Sequence, residues 1–208
     1  EKNQHLLENR MTQIENLEDS IHFNLCMLCT TAEQPMSNYL DKLSAVRNNI
    51  ASIADSFNIY HVNIFLPDDS FASKEGLTFC SLSDLKKYKV QLSDFSKQGL
   101  TPNWIFRKDI NFPYMVSKGE EPSGVLSCYR YAKINSQKTC LAVHITSEEL
   151  SNYLNTFSEG NPSLSYIINS EGVVLSSTDK KQIGGSLSNE KLHAITQNLR
   201  LSHFSYDK

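Results

Sequence analysis

Cys26-Met27-Leu28-Cys29 is the first place along the chain where residue types and spacing suggest chemistry. Two cysteines at this spacing suit thiol–disulfide exchange when a helix N-terminus or a nearby cation lowers one thiol's pKa. Here the pair stands deep inside an amphipathic pattern, "IHFNLCMLC", so the preferred reading is of small apolar residues on or beside a buried stripe. A zinc site needs four nitrogen or sulfur ligands, and no second pair stands at metal spacing, so no metal and no cofactor are expected. Cys128 and Cys140 fall in the two strands of one hairpin. A disulfide between them is the lesser reading, because directly paired strand neighbours rarely give comfortable bridge geometry. His61 and His144 lie in strand-like runs with no nucleophile signature beside them, and read as satisfied structural residues. The acidic tracts Asp68-Asp69 and Glu120-Glu121 fall in turns, as solvated carboxylates rather than a glycosidase pair.

The elements that would position these residues begin with a helix. Leu7, Met11, Ile14, Leu17, Ile21, Leu25 and Leu28 recur at three- and four-residue steps, one buried helical stripe. Pro35 interrupts it, since proline removes a backbone donor and restricts the residue before it. The stripe resumes at Met36, Leu40, Leu43, Val46, Ile50, Ile53 and Phe57. Laid end to end, the two segments would extend on the order of 80 Å at about 1.5 Å per residue, which predicts a stalk or spine over 1–58. "NIYHVNIFLPDDS" alternates as a strand and stops at Pro67-Asp68-Asp69. Residues 70–102 are polar and irregular, with a short helix near "SLSDLKKY". "GVLSCYRYAKI" and "KTCLAVHI", joined by "NSQ", predict an antiparallel hairpin. In "TSEELSNYLNTF", Ser147 is the expected N-cap and Glu148 and Glu149 suit the first turn. After the break "SEGNPS", the run "SLSYIINSEGVVLSSTDKKQIGGSL" opens a second β-meander with its turn at Glu171-Gly172. Strands grouped in hairpins point to an α+β chain with antiparallel sheets.

Composition bounds the function classes. With 39% hydrophobic and 21% charged residues the chain can bury a core and is not disordered. Its net charge is -3 and its basic residues are scattered, so nucleic-acid binding lacks an electrostatic footprint. No apolar run approaches the roughly 18 residues that span a bilayer. Five cysteines, an odd number, leave the redox compartment open. The chain opens in mid-helix, and the expectation is a piece of a longer protein.

Taken together, the long N-terminal helix, "IYHVNIFLPD", "NWIF", the hairpin "GVLSCYRYAKINSQKTCLAVHI", "SEELSNYL" and "YIINSEGVVLSSTDKKQIGGSL" resemble the extracellular double-Cache (PAS-like) region of bacterial membrane sensor histidine kinases, especially Gram-positive ones. The resemblance covers nearly the whole chain, and its most specific piece is the "YIINSEGVVLSS" segment with the Ile183-Gly184 that follows. It implies an N-terminal helix packed on antiparallel PAS-like sheets. Residues 1–58 would be the helix, 59–157 a membrane-distal module, and 158–208 a short or truncated proximal module. It also implies an extracytoplasmic sensor for an unknown small molecule, held at the cell membrane by transmembrane helices before Glu1 and beyond Lys208. A homodimer through the N-terminal helix stripe is part of this expectation, and the domain itself would be non-catalytic. A family pocket is lined by the concave sheet face and the irregular segment over it. Trp104, Arg107, Tyr114, Tyr129 and Tyr131 are placed there, with Arg107 selecting an anionic group and Arg130 on the opposite face. The competing reading of the same aromatics is a core between sheet and loop. "NWIFRKDI" departs from the motif of amino-acid-binding relatives, so an amino-acid ligand is not implied. The alternatives are the ectodomain of a chemoreceptor or cyclase, a secreted thiol-redox enzyme using Cys26 and Cys29, or a spacer without a ligand.

Overall fold

The structure, a computed structural model, describes residues 2–29, 36–88, 103–108, 122–134, 137–155, 165–190 and 192. Two helices come first, α1 (Lys2–Cys29) and α2 (Met36–Ser56). On α1 the stripe Met11, Ile14, Leu17, Ile21 and Leu25 is buried throughout, as its spacing requires. Arg10 of α1 donates through its guanidinium to the carbonyl of Phe57, just beyond α2. Collinear helices would hold those residues roughly 70 Å apart, so α1 and α2 run antiparallel, side by side. This corrects the extended spine. The segment around Pro35 lies outside the described residues. A Schellman-type closure ends α2: Ile59 N–H reaches Ala54 O at 2.7 Å and Asn58 N–H reaches Asp55 O at 3.3 Å. Asn58 takes the left-handed position at φ 49°, where its side chain is better tolerated than most.

The chain divides into two compact units. Among the described residues the first holds everything to Ile105 together with Ser127–Ile145. Its sheet is built from β1 (His61–Leu66), β2 (Phe79–Ser81), β3 (Asn103–Arg107), β4 (Val125–Ile134) and β5 (Gln137–Thr146), in the order β2-β1-β5-β4-β3. The expected hairpin is therefore present as β4 and β5, with β1 antiparallel to β5. The expectation of purely antiparallel sheets is corrected at β2, which runs parallel to β1, with Phe65 opposite Cys80. Residues 67–78 carry the chain back to re-enter in the same direction, as a parallel pair demands. Glu75 fixes that return: its Oε2 accepts from the amides of Leu77, Thr78 and Phe79 at 3.1, 2.8 and 2.9 Å. The short helix expected near "SLSDLKKY" is a 3-10 helix over Leu82–Tyr88.

The second unit holds, among the described residues, 106–108, 122–126 and everything from Thr146. It contains α3 (Ser147–Asn155) and the antiparallel pair β6 (Tyr166–Ile168) and β7 (Val174–Ser177). The sequence reading put α3 in the distal module and began the proximal one at residue 158. Side chains explain why α3 goes with β7: Ser147 Oγ donates to Leu175 O and Ser176 Oγ donates to Ser147 O, both at 2.7 Å. Because Ser147 is so engaged, the helix cap is Thr146, whose Oγ1 accepts from Glu149 N–H at 3.1 Å. The turn between β6 and β7 forms where Glu171-Gly172 predicts it. Asn169 Oδ1 accepts from Glu171 and Val173 N–H, and Gly172 takes φ 78°, a conformation glycine adopts without steric cost.

Candidate functional site

Register sorts the residues of the first unit onto two faces. His61, Asn63 and Phe65 stand opposite His144, Ala142 and Cys140, while Val62 and Ile64 stand opposite Val143 and Leu141. Alternation sends the two sets to opposite sides of the sheet. α1 covers the second side. Arg130 Nε donates to Glu18 Oε2 at 3.1 Å, its Nη1 pairs with Asp19, and its Nη2 donates to the Glu15 carbonyl at 3.3 Å. Trp104 Nε1 donates to Glu15 Oε1 at 3.1 Å. A cavity with room for about one water lies under the helix, walled by His22, Leu25, Ile64, Arg130 and Leu141, and its walls are almost wholly apolar. Since α1's stripe is buried within its own chain, it does not supply the free surface that the dimer expectation assumes.

The side facing away from α1 carries aromatic and polar groups. Tyr129, Phe65, Cys80, Cys140 and Ala142 form its core with Leu85, and Tyr131, Ile105 and Leu82 pack at the margin. Beside them runs a buried polar chain. Asn63 Nδ2 donates to Leu77 O at 2.8 Å, so its Oδ1, 3.0 Å from His144 Nε2, must accept. That makes Nε2 the protonated nitrogen of a neutral ring and leaves Nδ1 to accept from Ser127 Oγ at 2.7 Å. Asn63 Nδ2 also stands 3.1 Å from His61 Nε2, and the two imidazoles stack with centroids 6.3 Å apart. The Tyr129 ring meets His144 edge-on at 6.0 Å. Serine, histidine and asparagine in this order have the connectivity of a nucleophile, a base and an orienting group. Yet they are 0, 1 and 3% exposed, so no substrate atom reaches the hydroxyl. They satisfy one another across three strands.

The five residues expected to share a pocket are distributed as follows. Tyr129 and Tyr131 share one face, the first buried and the second half-buried. Burial, with a smaller contribution from Cys140, raises the Tyr131 phenol. Trp104 stands on the opposite face, at α1, so it does not converge with Tyr129. The reason is parity: Ile105, its neighbour in β3, is the residue that packs toward Tyr129. Arg130 is on the face opposite Tyr129 and Tyr131, as expected, and there it meets the helix. Arg107 ends β3, belongs to the second unit, and keeps its Nε buried without a hydrogen bond among the described residues. Tyr114 lies outside the described residues.

Cys26 is half-buried rather than buried, with Sγ 3.9 Å from His22 Nε2. The side chain of Cys29 lies outside the described residues. Cys80, Cys128 and Cys140 are buried and free, which answers the disulfide reading. Cys140 faces the aromatic cluster while Cys128 faces Glu18 under α1. Burial, then the charges of Asp84 and Glu75, pushes the Cys80 thiol up to about 12, and burial likewise drives Cys128 and Cys140 upward. Such thiols stay protonated and unreactive.

Sequence reasoning missed two arrangements. One is the polar chain, although His61, Asn63 and His144 all stand at core-facing strand positions. The other is Glu18, buried on α1 at the stripe spacing Ile14, Glu18, Ile21, Leu25. A carboxylate on a buried stripe was the available signal. In comparison with known proteins, no family model matches the chain and no curated protein matches it in sequence.

Proposed function

We propose that this is an extracytoplasmic ligand-sensing domain of the Cache type. Its parent would be a transmembrane receptor, a sensor histidine kinase by first preference and a chemoreceptor or cyclase otherwise. One observation carries the reading: β3 and β4 hold α1 through Trp104 and Arg130 on one face, and present Ile105, Tyr129 and Tyr131 on the other. A small molecule bound against the far face would touch the same strands that grip the helix. It would bias the helix by the difference in its affinity for two arrangements of those strands. No helix among the described residues is long and apolar enough to cross a membrane. In this reading, flanking transmembrane helices carry the signal and the domain is extracellular. Tyr129 is wholly buried, so first contact with a ligand falls to Tyr131, half-buried at the margin of the cluster, and to His61, half-buried and stacked on His144.

The test is a thermal-shift screen of metabolite-sized compounds on the native chain. A compound at about a hundred times its Kd adds about 2.7 kcal/mol, a rise of about 5–10 °C for a chain of this size. The stabilisation is expected to vanish in Tyr131→Ala and to persist in Trp104→Phe, whose ring lies on the helix side. Hits indifferent to Tyr131→Ala would remove the far face as the binding surface.

A further inference from the structure

The junction between α1 and the sheet holds an ionisable group that the sensing reading does not use. Glu18 is fully buried in the middle of α1's stripe. Oε2 accepts from Arg130, whereas Oε1 is buried with no full hydrogen bond, only the weak thiol donor of Cys128 beside the carboxyl. We propose that Glu18 is the proton-binding centre of a helix clasp: with the proton bound, α1 is seated on β3 and β4, and with it lost, the Glu15–Asp19 turn loosens from the sheet.

Charge counting around the group supports this. α1 itself contributes Glu15, Asp19 and His22; β4 contributes Arg130 and Cys128; β3 contributes the uncharged Trp104; and the Cys140 thiol of β5 lies through the sheet, on the far face. Arg130 is the permanent cation of this set. With Glu18 neutral, Arg130 pairs with Asp19, the Glu15 carboxylate is held by the Trp104 indole, and the buried oxygens face a thiol and a guanidinium N–H. With Glu18 ionised, two carboxylates share one guanidinium, Glu15 stands one turn away, and Oε1 has no solvation. Unpaired charge in a dry interface is relieved by taking up a proton or by admitting water, and water enters only if the helix lifts. Burial accordingly raises the Glu18 carboxyl from 4.5 to about 8, with Arg130 opposing and Glu15 adding. The folded chain thus holds this proton more tightly than the unfolded one. The stabilisation is complete below about pH 4.5 and is lost as pH rises through about 8. The clasp titrates without any ligand on the far face.

Trp104 is the only tryptophan, and its indole donates to Glu15 within the turn in question, so it reports on the clasp directly. In the 208-residue chain, the tryptophan emission is expected to shift to the red in one step with a midpoint near pH 8. The denaturant midpoint should fall progressively between about pH 4.5 and about pH 8 and level off above it. Glu18→Gln, whose amide stands for the neutral acid, should keep the native far-ultraviolet circular dichroism, show no emission step, and hold a level denaturant midpoint. Wild-type emission that stays level between about pH 6 and about pH 9.5 would overturn the proposal, as would a step that survives in Glu18→Gln. A Glu18→Gln chain that fails to fold at neutral pH would also overturn it, because a neutral group at this position is what the seated state requires.

Discussion

Asn63 is the residue on which the polar chain of the first unit turns. Its amide donates to the backbone carbonyl of Leu77, an exposed residue, and its oxygen fixes the tautomer of His144, which is cut off from water. Asn63→Ala takes the acceptor from the buried ring N–H of His144 and also leaves the space of a buried amide. Ser127→Ala removes only the donor to a ring nitrogen. The first substitution is expected to cost about 2–4 kcal/mol and the second about 1–2 kcal/mol, read from denaturant midpoints. Equal losses would mean that the His144 orientation is held by packing against Tyr129 and not by its hydrogen bonds. Residue identity made His61 and His144 visible in the sequence as structural histidines. Their partners were not legible, because the link between Asn63 and His144 depends on the pairing of β1 with β5, some eighty positions apart.

Elements were more legible than their arrangement. Apolar periodicity located both helices, and period-two alternation located β1, β4 and β5, because burial of one stripe or one face is a local constraint on residue type. How α1 meets α2, and the direction of β2, depend on contacts that no local pattern encodes. Arg10 reaching Phe57 turns a rod into a hairpin, and Glu75 turns a polar loop into a parallel return. Trp104 shows the same limit within one strand: it was expected in the segment lying over the pocket face, whereas it stands in β3, where a one-residue choice of parity decided which face it serves. The Glu75 device is testable. A carboxylate accepting three backbone N–H groups is a charge-assisted anchor, so Glu75→Ala should destabilise the chain by about 2–3 kcal/mol. It should also speed amide exchange at Thr78 and Phe79. Arg47 approaches Glu75 only at 3.8 Å and is half-exposed, so Arg47→Ala should change stability by under about 0.5 kcal/mol. Protection at Thr78 that survives Glu75→Ala would assign the return to the β1–β2 ladder alone.

For the molecule as a whole, the cysteines give a census of what is closed to solvent. The chain has five, and Cys80, Cys128 and Cys140 are 2, 0 and 0% exposed, with thiols that burial pushes upward. They guard different places. Cys80 and Cys140 flank Phe65 in the aromatic cluster, and Cys128 lies beneath α1 against Glu18. Cys26, half-buried on the helix, lacks that protection. At neutral pH a thiol reagent should therefore modify Cys26 in the native protein and leave Cys80, Cys128 and Cys140 unmodified, with all five reacting once the chain is unfolded in guanidinium. Mass spectrometry of the labelled peptides reads the order. Native labelling of Cys80 and Cys140 at the unfolded rate would mean that the far face opens on its own. Native labelling of Cys128 alone would mean that α1 lifts from the sheet even at neutral pH, with Glu18 still holding its proton.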